Sequence, residues 1–202
     1  YIAEFYFIQN SAYEASTFGE TNPATNQWIP KEAIGLTFGT NGFYQKYALT
    51  ELADSFFDSG NGGRHTVTAT GDTHTDTTVK KFGTASAQFD GTGDYLSIPD
   101  SSDWDYDSDD FTVEFWINIT TDQFSRIYNQ YQDGSNRGGI NYDPTTGWHW
   151  FMELGGSTVI SFLQGANTVS TGTWYHIAVV RSGNNFNIYQ DGTSVASTTD
   201  SD

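Results

Sequence analysis

The sequence has no cysteine among its 202 residues, so it can form neither a disulfide framework nor a thiolate metal site or nucleophile. Proline is scarce, with 4 residues, and no apolar run reaches the length of about 18 residues that a membrane-spanning helix needs. Basic residues are also few, because 8 Lys and Arg stand against 25 Asp and Glu, a net charge of −17. These absences predict a chain with no nucleic-acid partner and no membrane insertion.

What the sequence has in abundance is aromatic residues in alternating patterns. In the segment 111–117 the odd positions are all apolar, while Thr, Glu and Trp occupy the even ones, which predicts a strand with one buried side. The segment 174–180 is apolar on both sides and predicts a strand inside its sheet. Asp191-Gly192 predicts a tight hairpin turn after the run 186–189, followed by a strand over 194–197. The sequence therefore predicts an all-β, antiparallel fold.

Two longer phrases contain these strands, FGTASAQFDGTGDYLSIPDSSDWDYDSDDFTVEFWIN at 82–118 and TWYHIAVVRSGNNFNIYQDG at 173–192. They resemble laminin-G-like domains of the concanavalin A-like lectin/glucanase group. The resemblance implies an antiparallel two-sheet jelly-roll sandwich over residues 49–202. The family normally adds further strands after the hairpin, whereas this sequence stops at Asp202, so the resemblance also implies a sandwich that is incomplete at its C-terminus.

Residues 1–48 are less regular than the rest and are predicted to be an N-terminal connecting or assembly segment. An apolar strand candidate at 1–8 precedes a polar loop, and Asn41-Gly42 is a turn signal near the end. The phrases YIAEFYFI, FGE, WIPKE and TFGTNGFY are similar to a segment of virion structural proteins of marine bacteriophages. This resemblance implies a location on the virion surface, outside the cell, in an appendage such as a tail fibre.

The concanavalin A-like group includes glycoside hydrolases, so catalysis has to be considered. A retaining hydrolase needs two carboxylates about 5 Å apart. The Glu-x-Asp-x-x-Glu strand of the glucanases is missing, because Glu114 has no second acid within reach on its strand and Glu153 stands alone. No nucleophile elbow, phosphate-binding loop or histidine metal spacing is present, and His176 is predicted to be structural. The sequence therefore predicts that the protein is not an enzyme.

An acidic run suggests a metal site, since six Asp fall within residues 100–110. Uncompensated carboxylates at this density repel each other, and Ca²⁺ accepts six to eight oxygen ligands in tolerant geometry. Calcium is therefore a candidate cofactor. Its candidate ligands alternate along the sequence: Asp103, Asp105, Asp107 and Asp109. The alternative is a metal-free acidic turn, which the family commonly has at this point.

A sugar-binding surface is the remaining candidate. Aromatic rings stack on the C–H faces of sugars, while polar side chains hydrogen-bond to the hydroxyl groups. The stretch 130–139 is predicted to be a contact loop of this character, and the alternative is an ordinary polar hairpin. The candidate contact residues are Tyr128, Tyr131, Asp133, Asn136, Arg137 and Tyr142. The stripe formed by Trp148, Trp150 and Met152 is predicted to belong to the core instead, with His149, Phe151 and Glu153 on the opposite side of the strand.

These patterns favour a non-enzymatic glycan-binding or adhesion module on a virion appendage or surface protein. Its expected partners are a cell-surface glycan and either other virion subunits or further copies of this chain. One alternative is a purely architectural decoration or assembly protein, whose missing strands a neighbour supplies. A second is a carbohydrate-active hydrolase with an acid pair assembled across distant strands.

Overall fold

The computed structural model describes residues 1–47, 56, 58–59, 65–105 and 109–200. Its strands are β1 (Ile2–Gln9), β2 (Gly19–Thr21), β3 (Trp28–Pro30), β4 (Phe43–Gln45), β5 (Thr68–Thr70), β6 (His74–Asp76), β7 (Ser86–Gln88), β8 (Tyr95–Ser97), β9 (Phe111–Asn118), β10 (Ser125–Asp133), β11 (Asn136–Asp143), β12 (Gly147–Leu154), β13 (Ser157–Leu163), β14 (Trp174–Ser182), β15 (Asn185–Gln190) and β16 (Thr193–Thr199). Single 3₁₀ turns lie at Ala15–Thr17 and Ser102–Trp104. Within these described ranges, no helix has the length and apolar character needed to cross a membrane.

Two antiparallel sheets form the sandwich. The larger has eight strands in the order β16-β15-β14-β9-β1-β7-β6, with β4 also paired to β1. The smaller has four strands, β10-β11-β12-β13, each joined to the next by a hairpin. Two further strand pairs, β2-β3 and β5-β8, lie outside these sheets. The architecture confirms the predicted all-β jelly-roll sandwich.

The main core lies between the inner faces of the two sheets, and aromatic side chains dominate it. On β9 the odd residues point inward as predicted, and the ring centroid of Phe111 lies 5.5 Å from that of Trp150 on β12. Trp148 is also buried there, with its ring 6.5 Å from Phe115. The predicted assignment of the tryptophan stripe to the core is confirmed. Offset and edge-to-face packing of this kind suits aromatic quadrupoles.

The outer side of β9 differs from the prediction, because it is buried as well. All eight residues of the strand are buried, including Glu114 and Trp116 on the even side. The cover comes from the N-terminal segment, in which the rings of Phe18 and Trp28 both lie 6.1 Å from that of His176 on β14. The segment contributes a second apolar cluster here, centred on Tyr6, Ile8 and Phe18. The alternation of residues within β9 could not reveal this burial, because the residues that pack over the strand lie about one hundred positions earlier in the sequence.

The N-terminal strand β1 is part of the larger sheet rather than a connection to it. It pairs antiparallel with β9, with Phe5 opposite Phe115 and Phe7 opposite Val113, and both phenylalanines pack in the main core. The predicted division at residues 48 and 49 therefore does not separate the first strand from the sandwich. Residues 48–55, where the second unit was predicted to start, lie outside the described residues.

The hairpin between β15 and β16 follows the sequence prediction. Asp191 and Gly192 have φ angles of 50° and 76°, which is the left-handed pair that a two-residue hairpin turn requires. Asp191 also accepts a hydrogen bond of 2.9 Å from the backbone N–H of His176 through its side chain. A Cβ at Gly192 would lie 2.6 Å from the indole ring of Trp28, so this glycine also gives the N-terminal cover room to pack.

Candidate functional site

The larger sheet carries a polar cluster on its covered face, formed by Glu114, His176, Glu4 and Tyr6. Glu114 Oε2 and His176 Nε2 form a hydrogen bond, and the two residues are 1% and 0% exposed. Burial raises the pKa of Glu114, and the neighbouring His176 opposes that rise. Tyr6 donates a hydrogen bond of 2.7 Å to Glu4 Oε2. The Glu114–His176 pair is closed to any ligand, which agrees with a structural role for His176.

The acidic run does not assemble into a metal cage in the described residues. Asp103 is buried in the 3₁₀ turn, with its Oδ2 3.3 Å from His65 Nε2, whereas Asp105 is exposed and Asp109 half-buried. Asp107 lies outside the described residues. Among the residues that are described, no group of three or more His, Asp or Glu is placed to hold a metal ion. Calcium binding by this run stays a prediction.

The stretch predicted to be a contact loop consists of the ends of β10 and β11 and a tight turn between them. Asp133 lies opposite Asn136 and accepts backbone hydrogen bonds of 2.7 Å from Ser135 and 2.9 Å from Asn136. The side-chain amide of Asn136 also bonds to this carboxylate, and these contacts hold the pKa of Asp133 below its usual range. The two predicted contact residues therefore use their polar groups to close the hairpin.

Tyr128 and Tyr142 point into the core, and this corrects their assignment to the ligand surface. Tyr142 is 1% exposed, its ring lies 5.3 Å from that of Trp148, and its hydroxyl donates a 2.6 Å hydrogen bond to Asp122. Burial and this bond raise its pKa to about 12. The Tyr128 ring lies 5.7 Å from that of Phe5. A tyrosine that faces inward cannot stack on a sugar outside.

The remaining two candidates, Tyr131 and Arg137, lie opposite each other on the outer face of the smaller sheet. Tyr131 is 64% exposed. Arg137 Nε donates a hydrogen bond of 2.7 Å to Glu153 Oε2 on β12, and this bond together with the negative charge of Glu153 raises the pKa of Arg137. The structure therefore keeps these two predicted residues at a surface and adds Glu153 to them.

A shallow cavity of about 210 Å³ opens on this outer face, and we call it the outer-face pocket. Its lining residues are Phe124, Arg126, Arg137, Asn141, His149, Phe151 and Glu153. Strand register explains the grouping, because Arg137 pairs with Glu153 and Asn141 with His149 across β11 and β12. Alternate residues of neighbouring strands share one face, so the tryptophans of β12 point inward while these side chains point outward.

Cations and rings are paired within the outer-face pocket. The Arg137 guanidinium lies 5.8 Å from the centre of the Phe151 ring, and that of Arg126 lies 5.9 Å from the Phe124 ring. His149 Nε2 forms a hydrogen bond of 2.8 Å with Ser161 Oγ. Burial lowers the pKa of His149, although the charge of Asp143 opposes this, so the imidazole is neutral at neutral pH.

Asn141 forms part of the pocket lining and has an unused acceptor. The residue is 6% exposed, and its side-chain oxygen has no hydrogen-bond partner among the described residues. A buried polar atom left without a partner costs about 1–3 kcal/mol, so a ligand donor that meets this oxygen after a rotation of the side chain would recover that energy. The pocket thus offers an aromatic surface, guanidinium donors, a carboxylate acceptor and one unsatisfied amide oxygen.

Sequence reasoning missed most of this pocket, although it placed His149, Phe151 and Glu153 on the side of β12 opposite the tryptophans. The outward orientation of Asn141 could have been predicted from alternation in β11. Ile140 packs in the core, so the residues on either side of it face outward. Chemically, the lining contains a single carboxylate, that of Glu153. A pair of carboxylates for glycoside hydrolysis is not assembled by these lining residues.

Comparison with known proteins identifies the fold family. Residues 90–202, more than half of the chain, match the family model described as the concanavalin A-like lectin/glucanases superfamily, of the laminin G type. No curated protein matches the chain. A crystal structure of an S-layer domain-containing protein from Clostridium thermocellum aligns with 77% of this chain and 71% of its own, at 20% identity and a TM-score of 0.45. That degree of similarity supports no argument about function.

Proposed function

Because the chain belongs to the concanavalin A-like lectin/glucanase superfamily, we propose that it is a non-enzymatic glycan-binding or adhesion module whose ligand occupies the outer-face pocket. The observation that carries this proposal is the side-chain oxygen of Asn141, which has no partner in the described part of the chain and lies in a pocket with aromatic and charged groups. Sugar sites need this combination, in which an apolar surface provides contact area and a few polar groups fix the orientation of the ligand.

Each group in the pocket can make a contact that sugar rings commonly form with proteins. Phe124 is 52% exposed and offers a ring face to the C–H groups of a pyranose. The Arg137–Glu153 pair provides a donor and an acceptor side by side, as neighbouring hydroxyl groups require. Asn141 accepts a hydrogen bond from a further hydroxyl. Binding then replaces water at the exposed groups, and a rotation of the Asn141 amide brings its buried oxygen to the ligand.

We place this module on a virion appendage or another extracellular surface protein, with a cell-surface glycan as its ligand. The support for the virion setting is the resemblance of residues 1–48 to virion structural proteins of marine bacteriophages. Other virion subunits or copies of this chain are its proposed structural partners. Calcium held by the acidic run that contains Asp103 is a proposed additional cofactor, and a melting temperature that does not change in millimolar calcium would remove it.

A non-enzymatic function is supported by the position of the carboxylates. Glu114 is sealed beneath the N-terminal segment, and Glu153 is paired with Arg137 in the outer-face pocket. Incubation with a polysaccharide panel should release no reducing ends. Turnover that disappears in Glu114→Gln or Glu153→Gln would establish the hydrolase alternative instead.

Glycan-array screening of the wild type and of Asn141→Leu tests the proposal. The wild type should bind at least one glycan, and Asn141→Leu should lose binding because leucine accepts no hydrogen bond. The exposed Tyr95→Ala, which changes a residue of β8 outside both sheets, is the matched control and should bind as the wild type does. No binding to any glycan, together with a stable multimer in solution, would favour the architectural alternative.

A further inference from the structure

The outer face of the smaller sheet offers more contact surface than the pocket alone. Of the seven exposed large hydrophobic residues in the described part of the chain, four belong to the outer face of this sheet or directly precede it. They are Phe124, Tyr131, Val159 and Leu163. The larger sheet has no comparable surface on β9, where every residue is buried. An exposed apolar surface concentrated on one sheet marks an interaction site.

Two aromatic residues mark the ends of this surface along β10. Phe124 directly precedes the strand and lines the outer-face pocket, while Tyr131 lies near the hairpin opposite Arg137. They are seven positions apart, which corresponds to roughly 23 Å at about 3.3 Å per residue. The bulge between Arg126 and Tyr128 shortens this span somewhat. A single sugar ring cannot reach both aromatic side chains.

A glycine lies in the middle of the outer face and adds no side chain to the surface there. Gly139 lies between Asn129 on β10 and Phe151 on β12, and Phe151 is itself buried. At Gly139 φ is 153°, and a Cβ would collide with the backbone oxygen of Tyr128, so no other residue fits without a shift of β10. A ligand lying across this position meets no side chain from β11, and the outward side chains of β10 between the two aromatic residues are Arg126 and Asn129.

We propose that the ligand is a linear polysaccharide segment that lies along β10 and β11 and spans from Phe124 to Tyr131. This inference rests on the proposed function of the outer-face pocket and specifies its ligand class. The Arg137–Glu153 pair and Asn141 contact the sugars between the two ends. Tyr131 stacks on a sugar unit at the far end of the segment, which an oligosaccharide too short to span the face lacks.

Oligosaccharide ladders, from monosaccharide to octasaccharide, of the polysaccharide that scores highest on the array test this inference by calorimetry. Affinity should rise with chain length until the oligosaccharide reaches both aromatic residues, and then level off. Tyr131→Ala should lower the affinity for the octasaccharide about tenfold, the loss of about 1.4 kcal/mol of stacking, and leave that for the disaccharide unchanged. Asn141→Leu should weaken binding at every length, and Tyr95→Ala should weaken it at none.

The possible failures are distinguishable. Equal affinity for the monosaccharide and the octasaccharide would overturn the extended ligand and leave the glycan-binding function intact. Unchanged glycan binding in Asn141→Leu would overturn the proposed site as well. Concentration-dependent dimerisation that Tyr131→Ala abolishes, without any glycan bound, would assign this face to a second copy of the chain and overturn both.

Discussion

The two sheets of this sandwich differ in what covers their outer faces. On the larger sheet the N-terminal segment packs over β9 and β14, so both sides of these strands are buried. On the smaller sheet the outward residues of β13 are exposed, while only Ile160 and Phe162 on its inner side are buried. The same alternation of residues therefore yields a second core on one sheet and a free surface on the other.

This difference between the faces determines whether a carboxylate can contact a ligand. Glu114 on the covered face is enclosed and bonded to His176, whereas Glu153 on the open face keeps 26% of its side chain exposed beside Arg137. Removal of one partner of a buried pair is costly, since the other partner is then left uncompensated. An exposed pair contributes little to stability and is available to a ligand.

Replacement of Glu114 by alanine should have the largest effect on stability. The substitution leaves His176 buried without its partner, and we expect the free energy of unfolding to fall by about 3–5 kcal/mol. Urea unfolding measures this loss. Glu153→Ala is the matched change on the open face and should cost less than about 1 kcal/mol. Equal losses in the two variants would show that the faces do not differ as described.

Trp28→Ala tests the cover itself. The indole packs against His176 and over Gly192, so its removal should lower the free energy of unfolding by about 2–3 kcal/mol, less than for a fully buried tryptophan. Hydrogen exchange should also accelerate for amides of the N-terminal segment. Tyr131→Ala on the open face should change stability by less than about 0.5 kcal/mol. Unchanged exchange in the segment would argue against a covering role for Trp28.

The pH dependence of stability offers a finer test. Burial raises the pKa of Glu4 above its ordinary value of 4.5, and hydrogen bonds from Tyr6 and Tyr44 only partly offset this. A raised folded-state pKa stabilises the fold below the unfolded value, and this contribution is lost as pH rises through the folded value. Glu4→Gln lacks this loss, so its stability relative to the wild type should increase from about pH 4 to pH 7. A flat difference for Glu4→Gln would contradict the burial of this carboxyl.

No loss of stability is expected for Asn141→Leu. The substitution removes a buried oxygen that has no partner in the described structure, so stability should stay level or increase by up to about 1 kcal/mol. Thermal and urea unfolding check this. A loss above about 2 kcal/mol would mean that the Asn141 side chain has a structural task.

The strands that form the core between the two sheets are predicted well from the sequence, because the alternation of apolar and polar residues is a local signal. The strands β9 and β14 and the turn at Asp191-Gly192 follow from their own residues. The cover over β9 could not be predicted in the same way, since Phe18 and Trp28 meet His176 only through contacts between residues far apart in the chain.

The site was predicted in part for a related reason. Tyr131 and Arg137 were expected at a surface, and they lie on one. Tyr128 and Tyr142 were assigned to the same surface because the stretch 130–139 was interpreted as a loop, which hides the alternation of the strands on either side. The bulge between Arg126 and Tyr128 also shifts the register of β10 within the sequence. Bulges of this kind leave no clear signal in a single sequence.

Chemical-shift mapping with the highest-scoring oligosaccharide tests the central claim most directly, because it compares both faces in one experiment. We expect the largest shifts at the Asn141 side-chain amide and at the rings of Phe124 and Tyr131, while the indole signals of Trp28 and Trp116 on the covered face stay unchanged. Shifts concentrated at Trp28 and Trp116, with none at Asn141, would contradict it.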